Sequence, residues 1–100
     1  MSLNSAGLKS LKNLPKLQRI LKLELNENKL QTGLDELLIY KTIETIKLQN
    51  NQITKLDELE KIGKHDTLSN LDLSGNPISE LDNYREKVFE IMENLEILDS

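Results

Sequence analysis

Side chains able to do chemistry are few in this 100-residue chain, and they are scattered. The single histidine, His65, sits in the polar run Gly63-Lys64-His65-Asp66. It has no second histidine, no cysteine and no suitably placed serine that could complete a dyad or a metal site. It reads as an exposed or loop-capping histidine in a connector. Four separate glycines, Gly7, Gly33, Gly63 and Gly75, build no phosphate-binding loop, and Ser74-Gly75-Asn76-Pro77 reads as a turn. Asp35, Asp57 and Asp82 recur regularly, yet they fall on separate segments with no local cluster, which argues against a coordinated cation. No catalytic residue, cofactor-binding residue or metal ligand emerges, so the expectation is a non-catalytic protein.

Composition narrows the class further. The apolar residues are 37% of the chain and lopsided: 21 Leu and nine Ile against one Val, one Phe, two Tyr and no Trp. Aromatics at 3% leave almost nothing to stack on bases, and a net charge of −4 argues against a phosphate-binding surface. A basic patch of Lys9, Lys12, Lys16 and Arg19 therefore reads as plain solvated surface, not a nucleic-acid contact. No apolar run approaches the ~18 residues needed to span a bilayer, and Met1-Ser2-Leu3-Asn4 opens no signal-peptide core. Charge is graded along the chain. Residues 1–50 carry eight Lys/Arg and five Asp/Glu, while residues 51–100 carry five and twelve.

The leucines are periodic. Ile20-Leu-Lys-Leu23-Glu-Leu25-Asn-Glu-Asn28-Lys-Leu30 superimposes without gaps on the segment from Ile43 through Ile46, Leu48 and Asn51 to Ile53. Both superimpose on the segment from Leu68 through Leu71, Leu73 and Asn76 to Ile78, the starts lying 23 and 25 residues apart. Each reads L-x-x-L-x-L-x-x-N-x-L, the pattern of a leucine-rich repeat. Alternation within L-x-L sends Leu23/Leu25, Ile46/Leu48 and Leu71/Leu73 one way and their neighbours the other. One such strand cannot bury its face alone, but stacked strands share a continuous leucine core. The recurring Asn28, Asn51 and Asn76 read as a ladder, each side-chain amide bonding the turning backbone and the next coil.

After each core, Thr32 to Asp35, Thr54 to Asp57 and Ser79 to Asp82 form S/T-x-x-D, which suits the N-cap of a short helix or 3₁₀ turn on the outer side. Beyond Asp82 the period changes. Tyr84, Val88, Ile91 and Met92 form a helical stripe, broadened by Phe89, suited to covering the last coil. Leu95-Glu-Ile-Leu98-Asp99 then begins a fourth copy that stops at Ser100. The expected architecture is an α/β leucine-rich repeat solenoid, with short parallel strands on the concave face, helix or 3₁₀ turns on the convex face and a C-terminal helical cap. Residues 1–100 form one domain, with repeat cores 20–30, 43–53 and 68–78 and a cap at 79–99.

Side chains that alternate outward on the strands are the candidate binding residues: Lys22, Glu24 and Asn26, then Thr45, Lys47 and Gln49, then Asn70, Asp72 and Ser74. Curvature lets such a strip wrap a helix or peptide. Reversing the charges of Lys47 and Asp72 is expected to weaken a partner on that face by more than about 1 kcal/mol, with the melting temperature held within a few degrees.

The cap motif Leu81-Asp-Asn-Tyr84-Arg85-Glu-Lys-Val88-Phe89, with Asn94-Leu95-Glu-Ile-Leu98-Asp99, resembles the Y-R-x-x-V-F…L-x-x-L-D cap of a subset of intracellular leucine-rich repeat proteins. Asn13-Leu14-Pro15-Lys16-Leu17, Lys22-Leu23-Glu24-Leu25, Thr32-Gly33-Leu34 and Leu71-Asp-Leu73-Ser74-Gly75-Asn76 are similar to stretches of the acidic leucine-rich nuclear phosphoprotein 32 family. That likeness implies a nuclear protein, with shuttling to the cytoplasm. It also implies binding of histones or chromatin regulators, histone chaperoning and inhibition of a type 2A protein phosphatase. The cap alone is also similar to the spliceosomal A-prime protein, which implies a scaffold holding an RNA-binding partner. Two features depart from the first family. Gly7-Leu8-Lys9-Ser10-Leu11 looks like only the tail of an opening repeat, and the long acidic tail is absent, which suggests a truncated chain or a reduced homologue. An opening coil of that kind leaves a strand edge exposed and predicts concentration-dependent dimerisation or a fraying N-terminus. Zero cysteines and no N-x-S/T acceptor speak against the secreted branch of the fold.

Overall fold

The computed structural model describes residues 1–12, 14–15 and 19–99. The middle of each repeat becomes a three-residue strand: β1 (Lys22–Glu24), β2 (Thr45–Lys47) and β3 (Asn70–Asp72). A fourth, β4 (Ile97–Leu98), comes from the incomplete last copy. The strands pair parallel in the order β1-β2-β3-β4, and the register matches the sequence repeat: Leu23 lies beside Ile46, Ile46 beside Leu71, and Leu71 beside Leu98. Between strands the chain crosses the far side of the leucine rows. It does so through a 3₁₀ helix at Leu34–Ile39, α1 (Leu56–Glu60), a 3₁₀ helix at Pro77–Glu80 and the capping helix α2 (Tyr84–Ile91).

Leu23, Leu25 and Leu30, Ile43, Ile46, Leu48 and Ile53, and Leu68, Leu71, Leu73 and Ile78 are all buried in one apolar cluster. Tyr84, Val88 and Met92 close its C-terminal end. Phe89 does not join them; it stays partly exposed, with the Arg85 guanidinium 5.7 Å from its ring centre.

The asparagine ladder forms, each side chain bonding its own turn and the preceding coil, not the following one. Asn51 donates from Nδ2 to Leu25 O and Leu48 O, both at 3.0 Å, while its Oδ1 accepts Leu30 N–H at 3.1 Å. Asn76 repeats this one coil on, to Leu48 O (2.7 Å), Leu73 O (2.9 Å) and Ile53 N–H (3.1 Å). Asn28 joins the opening coil by accepting Ala6 N–H and Leu8 N–H.

Residues 1–5 of the opening coil run parallel beside β1, with Leu3 N–H donating to Glu24 O (2.8 Å) and Ser5 N–H to Asn26 O (2.9 Å). The outer edge of the sheet therefore belongs to that segment. Asp35 and Asp57 do not cap the outer helices. They lie inside the first turn, behind Gly33 and Lys55 at the cap positions, and neither cap position makes a side-chain capping bond; Asp82 is not the cap either, since Asn83 holds that position before Tyr84 and also makes no side-chain capping bond. The free Leu34 N–H is met instead from the next coil, by Glu58 Oε1 at 3.3 Å. His65 is buried, not exposed. Its Nε2 lies 2.9 Å from Tyr40 O and its Nδ1 accepts Thr67 N–H at 3.3 Å, so it does hold a loop, by joining two coils. Of the Asn13–Leu17 motif, residues 13, 16 and 17 lie outside the described residues, as do Lys16 of the basic patch and Ser100.

Candidate protein-binding face

Strand register brings the nine outward residues into three rows. Lys22, Thr45 and Asn70 align in the first, Glu24, Lys47 and Asp72 in the second. Asn26, Gln49 and Ser74 follow where the strands end. The arrangement is braced by its own hydrogen bonds. Lys22 Nζ lies 3.3 Å from Glu24 Oε2, and that ammonium holds the Glu24 carboxyl below its usual range. Asn26 Oδ1 accepts Gln49 N–H at 2.8 Å, so Asn26 is spent on the backbone of the next coil.

Asp72 is the hub of the face. Its Oδ1 accepts both Ser74 N–H (3.0 Å) and Ser74 Oγ–H (2.7 Å), its Oδ2 accepts Gln49 Nε2–H, and Lys47 Nζ stands 4.0 Å away. Burial pushes its carboxyl up, but these hydrogen bonds and the Lys47 charge outweigh burial and hold it below the ordinary value. Asp72 is only 2% exposed. It is an internal brace, and the expectation that its charge could be reversed at little cost in stability is overturned: a buried ammonium there would replace the acceptor of Ser74 N–H and stand beside the Lys47 charge.

What remains accessible is Lys22, with half-buried Glu24, Asn26, Thr45, Lys47, Gln49, Asn70 and Ser74 around it. Asn70 Oδ1 is buried and has no hydrogen-bond partner. The alternation-based reading omits one residue of this face. Ile97 on β4 pairs with Asn70 and is 44% exposed, so the first row ends in an apolar side chain. Extending the register into the fourth copy, Leu95-Glu96-Ile97-Leu98, locates it. Beyond it the sheet is closed by Asp99, whose Oδ1 accepts Leu73 N–H (2.6 Å) and Oδ2 accepts Tyr84 Oη–H (2.8 Å). Arg85 adds a bond to Leu98 O (3.0 Å). Among the described residues, no three His, Cys, Asp or Glu side chains gather where they could hold a metal ion.

A parallel sheet with one short strand per coil, an asparagine ladder and a helical cap define a leucine-rich repeat protein. The chain belongs to that family, whose model matches residues 1–100. It is 37% identical over 99 residues to acidic leucine-rich nuclear phosphoprotein 32 family member A of Drosophila pseudoobscura pseudoobscura, and likewise to that of Drosophila melanogaster. Each match covers 99% of this chain and 38% of the relative, so the chain spans well under half of the relatives' length. The fold also matches a chain of the Drosophila melanogaster SNF/U2A′ complex, with a TM-score of 0.83 and 33% identity, over 98% of this chain and 57% of that one.

Proposed function

We propose that the chain is a non-catalytic protein-interaction module whose strand face, from Lys22 across Thr45 and Asn70 to Ile97, receives the partner. The observation that carries this reading is the bracing of that face. Seven of its polar side chains are tied down before any partner arrives, which lowers the entropy cost of docking. The likeness to acidic nuclear phosphoproteins supports a nuclear location and histones, chromatin regulators or a type 2A phosphatase as partners. The solvent-exposed acids Glu80, Asp82, Glu86, Glu90, Glu93 and Glu96 suit a basic partner such as a histone.

The match to a chain of the SNF/U2A′ complex favours a second reading, a scaffold that holds a ribonucleoprotein component on the same strand face. The two separate by experiment. Thr45→Arg with Ile97→Asp blocks the strand face at partly exposed positions. It is expected to weaken a face-docking partner about tenfold or more, with little change in melting temperature. Purified core histones, a type 2A phosphatase and splicing proteins from nuclear extract provide the partners, at low and raised salt. Binding that vanishes at raised salt yet ignores the double variant places the partner on the acidic side. If no protein of either group binds the wild-type chain, the reading fails.

A further inference from the structure

On the edge of the coil stack where the chain turns away from the strands, Lys9, Lys29, Gln31, Thr32 and Gln52 line a hollow of about 460 Å³. Its lining holds two ammonium groups, two amides and a hydroxyl, and no carboxylate. Glu27, two residues before Lys29, turns its carboxylate to Ser5 Oγ (3.0 Å). The two amides are joined: Gln31 Nε2 donates to Gln52 Oε1 at 2.9 Å, which leaves the Gln52 NH₂ group with donor capacity.

The backbone beneath is fixed by the ladder. Lys29 N–H bonds Leu8 O (2.7 Å) and Gln52 N–H bonds Leu30 O (2.9 Å), while Asn28 and Asn51 accept Leu8 N–H and Leu30 N–H. Three successive coils thus present Lys9, Lys29 and Gln52 in a set spacing. In the third repeat Pro77 stands at the position of Lys29 and Gln52, so the donor row ends there.

We propose that this hollow binds a phosphoryl group carried on a protein segment, that is, a phosphoserine- or phosphothreonine-containing peptide. Ammonium, amide and hydroxyl donors along one acid-free lining suit a dianion with three acceptor oxygens. The volume exceeds a single oxyanion and falls in the range of about 300–1,000 Å³ typical of ligand sites, leaving space for peptide beside the phosphate. Nucleic acid is the weaker fit, because the hollow has no aromatic side chain on which a base could stack.

Amide-detected NMR titration of the full chain tests this, using a phosphoserine peptide, its unphosphorylated form, inorganic phosphate and a single-stranded RNA of equal charge. Saturable shifts at Lys29, Gln31, Thr32 and Gln52 with the phosphopeptide are expected, inorganic phosphate acting at the same amides but more weakly. Lys9→Gln with Lys29→Gln should weaken the phosphopeptide about tenfold or more. Lys41→Gln with Lys64→Gln, which removes the same charge elsewhere, should leave its affinity unchanged. The proposal is overturned if these amides do not move, if the unphosphorylated peptide does as well, or if both double variants weaken binding alike. RNA binding there as tightly as the phosphopeptide also overturns it.

Discussion

Replacing Asn51 by Ala tests whether the ladder, rather than the leucines alone, holds the coils together. Asn51 is 5% exposed and its amide ties its own coil to the preceding one. The loss can be worked bond by bond. Leu25 O keeps Asn28 Nδ2 (2.9 Å), Leu48 O keeps Asn76 Nδ2 (2.7 Å) and Gln49 O keeps Glu27 N–H (2.8 Å). Only Leu30 N–H, buried against the core, is left with nothing. An orphaned buried donor costs about 1–3 kcal/mol, and each second partner lost from a carbonyl adds about half of one ordinary net bond. The sum is about 3 kcal/mol, a large part of the ~5–15 kcal/mol that holds a domain folded. With a urea slope of about 1.5 kcal/mol/M, the unfolding midpoint followed by circular dichroism should drop by about 2 M. Asn28→Ala supplies the control. The amides it serves, Ala6 N–H and Leu8 N–H, are only partly buried and can turn to water, so it should cost about half as much. A midpoint for Asn51→Ala within about 0.5 M of wild type, or equal losses at both positions, would refute the reasoning.

Asp72→Asn should change the acid limb of stability. Because the folded-state carboxyl titrates below its ordinary value, its contribution is full above the unfolded value near 3.8 and is lost as pH falls through the lower folded one. Urea melts from pH 7 to 2 should show the variant about 1–2 kcal/mol weaker at neutral pH, the gap closing in acid. Gly63→Ala should cost about 2–4 kcal/mol and loosen the cap, since a Cβ there would sit 2.5 Å from Ile91 O at the end of α2. Hydrogen exchange at Glu93 N–H, which bonds Gly63 O, reports it. Tyr84→Phe removes the bond to Asp99 and should cost about 1.5–3 kcal/mol, with faster exchange at Leu73 N–H. In the native chain, burial and the neighbouring Asp99 carboxylate hold the Tyr84 phenol well above the ordinary value of 10, so alkaline titration should reach it only as the cap opens.

Much of the fold was legible because its period is long and its core residues are of one kind. The register Leu23–Ile46–Leu71–Leu98 follows from counting alone, and so do the three ladder asparagines. What eluded the sequence shares one physical cause: contacts between coils that no local motif encodes. Glu58, which no motif singles out, is buried, bonded to Lys61 Nζ (2.8 Å), and supplies the acceptor for the preceding coil's Leu34 N–H. His65 likewise sits in a polar tetrapeptide but is fixed by a carbonyl 25 residues earlier. Within the strand face the alternation rule gives the rows Lys22–Thr45–Asn70 and Glu24–Lys47–Asp72 that the register aligns. It could not say that Asp72 would be roofed over, because that depends on Gln49 from one coil and Ser74 from its own converging on one carboxylate.

This burial changes what the strand face can recognise. Lys22 with Glu24, and Lys47 with Asp72, set opposite charges within reach of each other, so the face presents little net field. The excess of acid in the C-terminal half lies elsewhere, on the exposed side of α2 and its flanks at Glu86, Glu90, Glu93 and Glu96. A basic partner drawn by that field arrives near the cap, and its attraction fades as salt shortens the Debye length from ~10 Å at 0.1 M to ~3 Å at 1 M. A partner that settles across Thr45, Asn70 and Ile97 gains instead from shape, apolar burial and hydrogen bonds, which salt barely touches. Affinity that withstands raised salt but falls with Ile97→Asp therefore marks strand-face docking. Affinity lost with salt and with neutralisation of Glu86, Glu90 and Glu93 marks the cap.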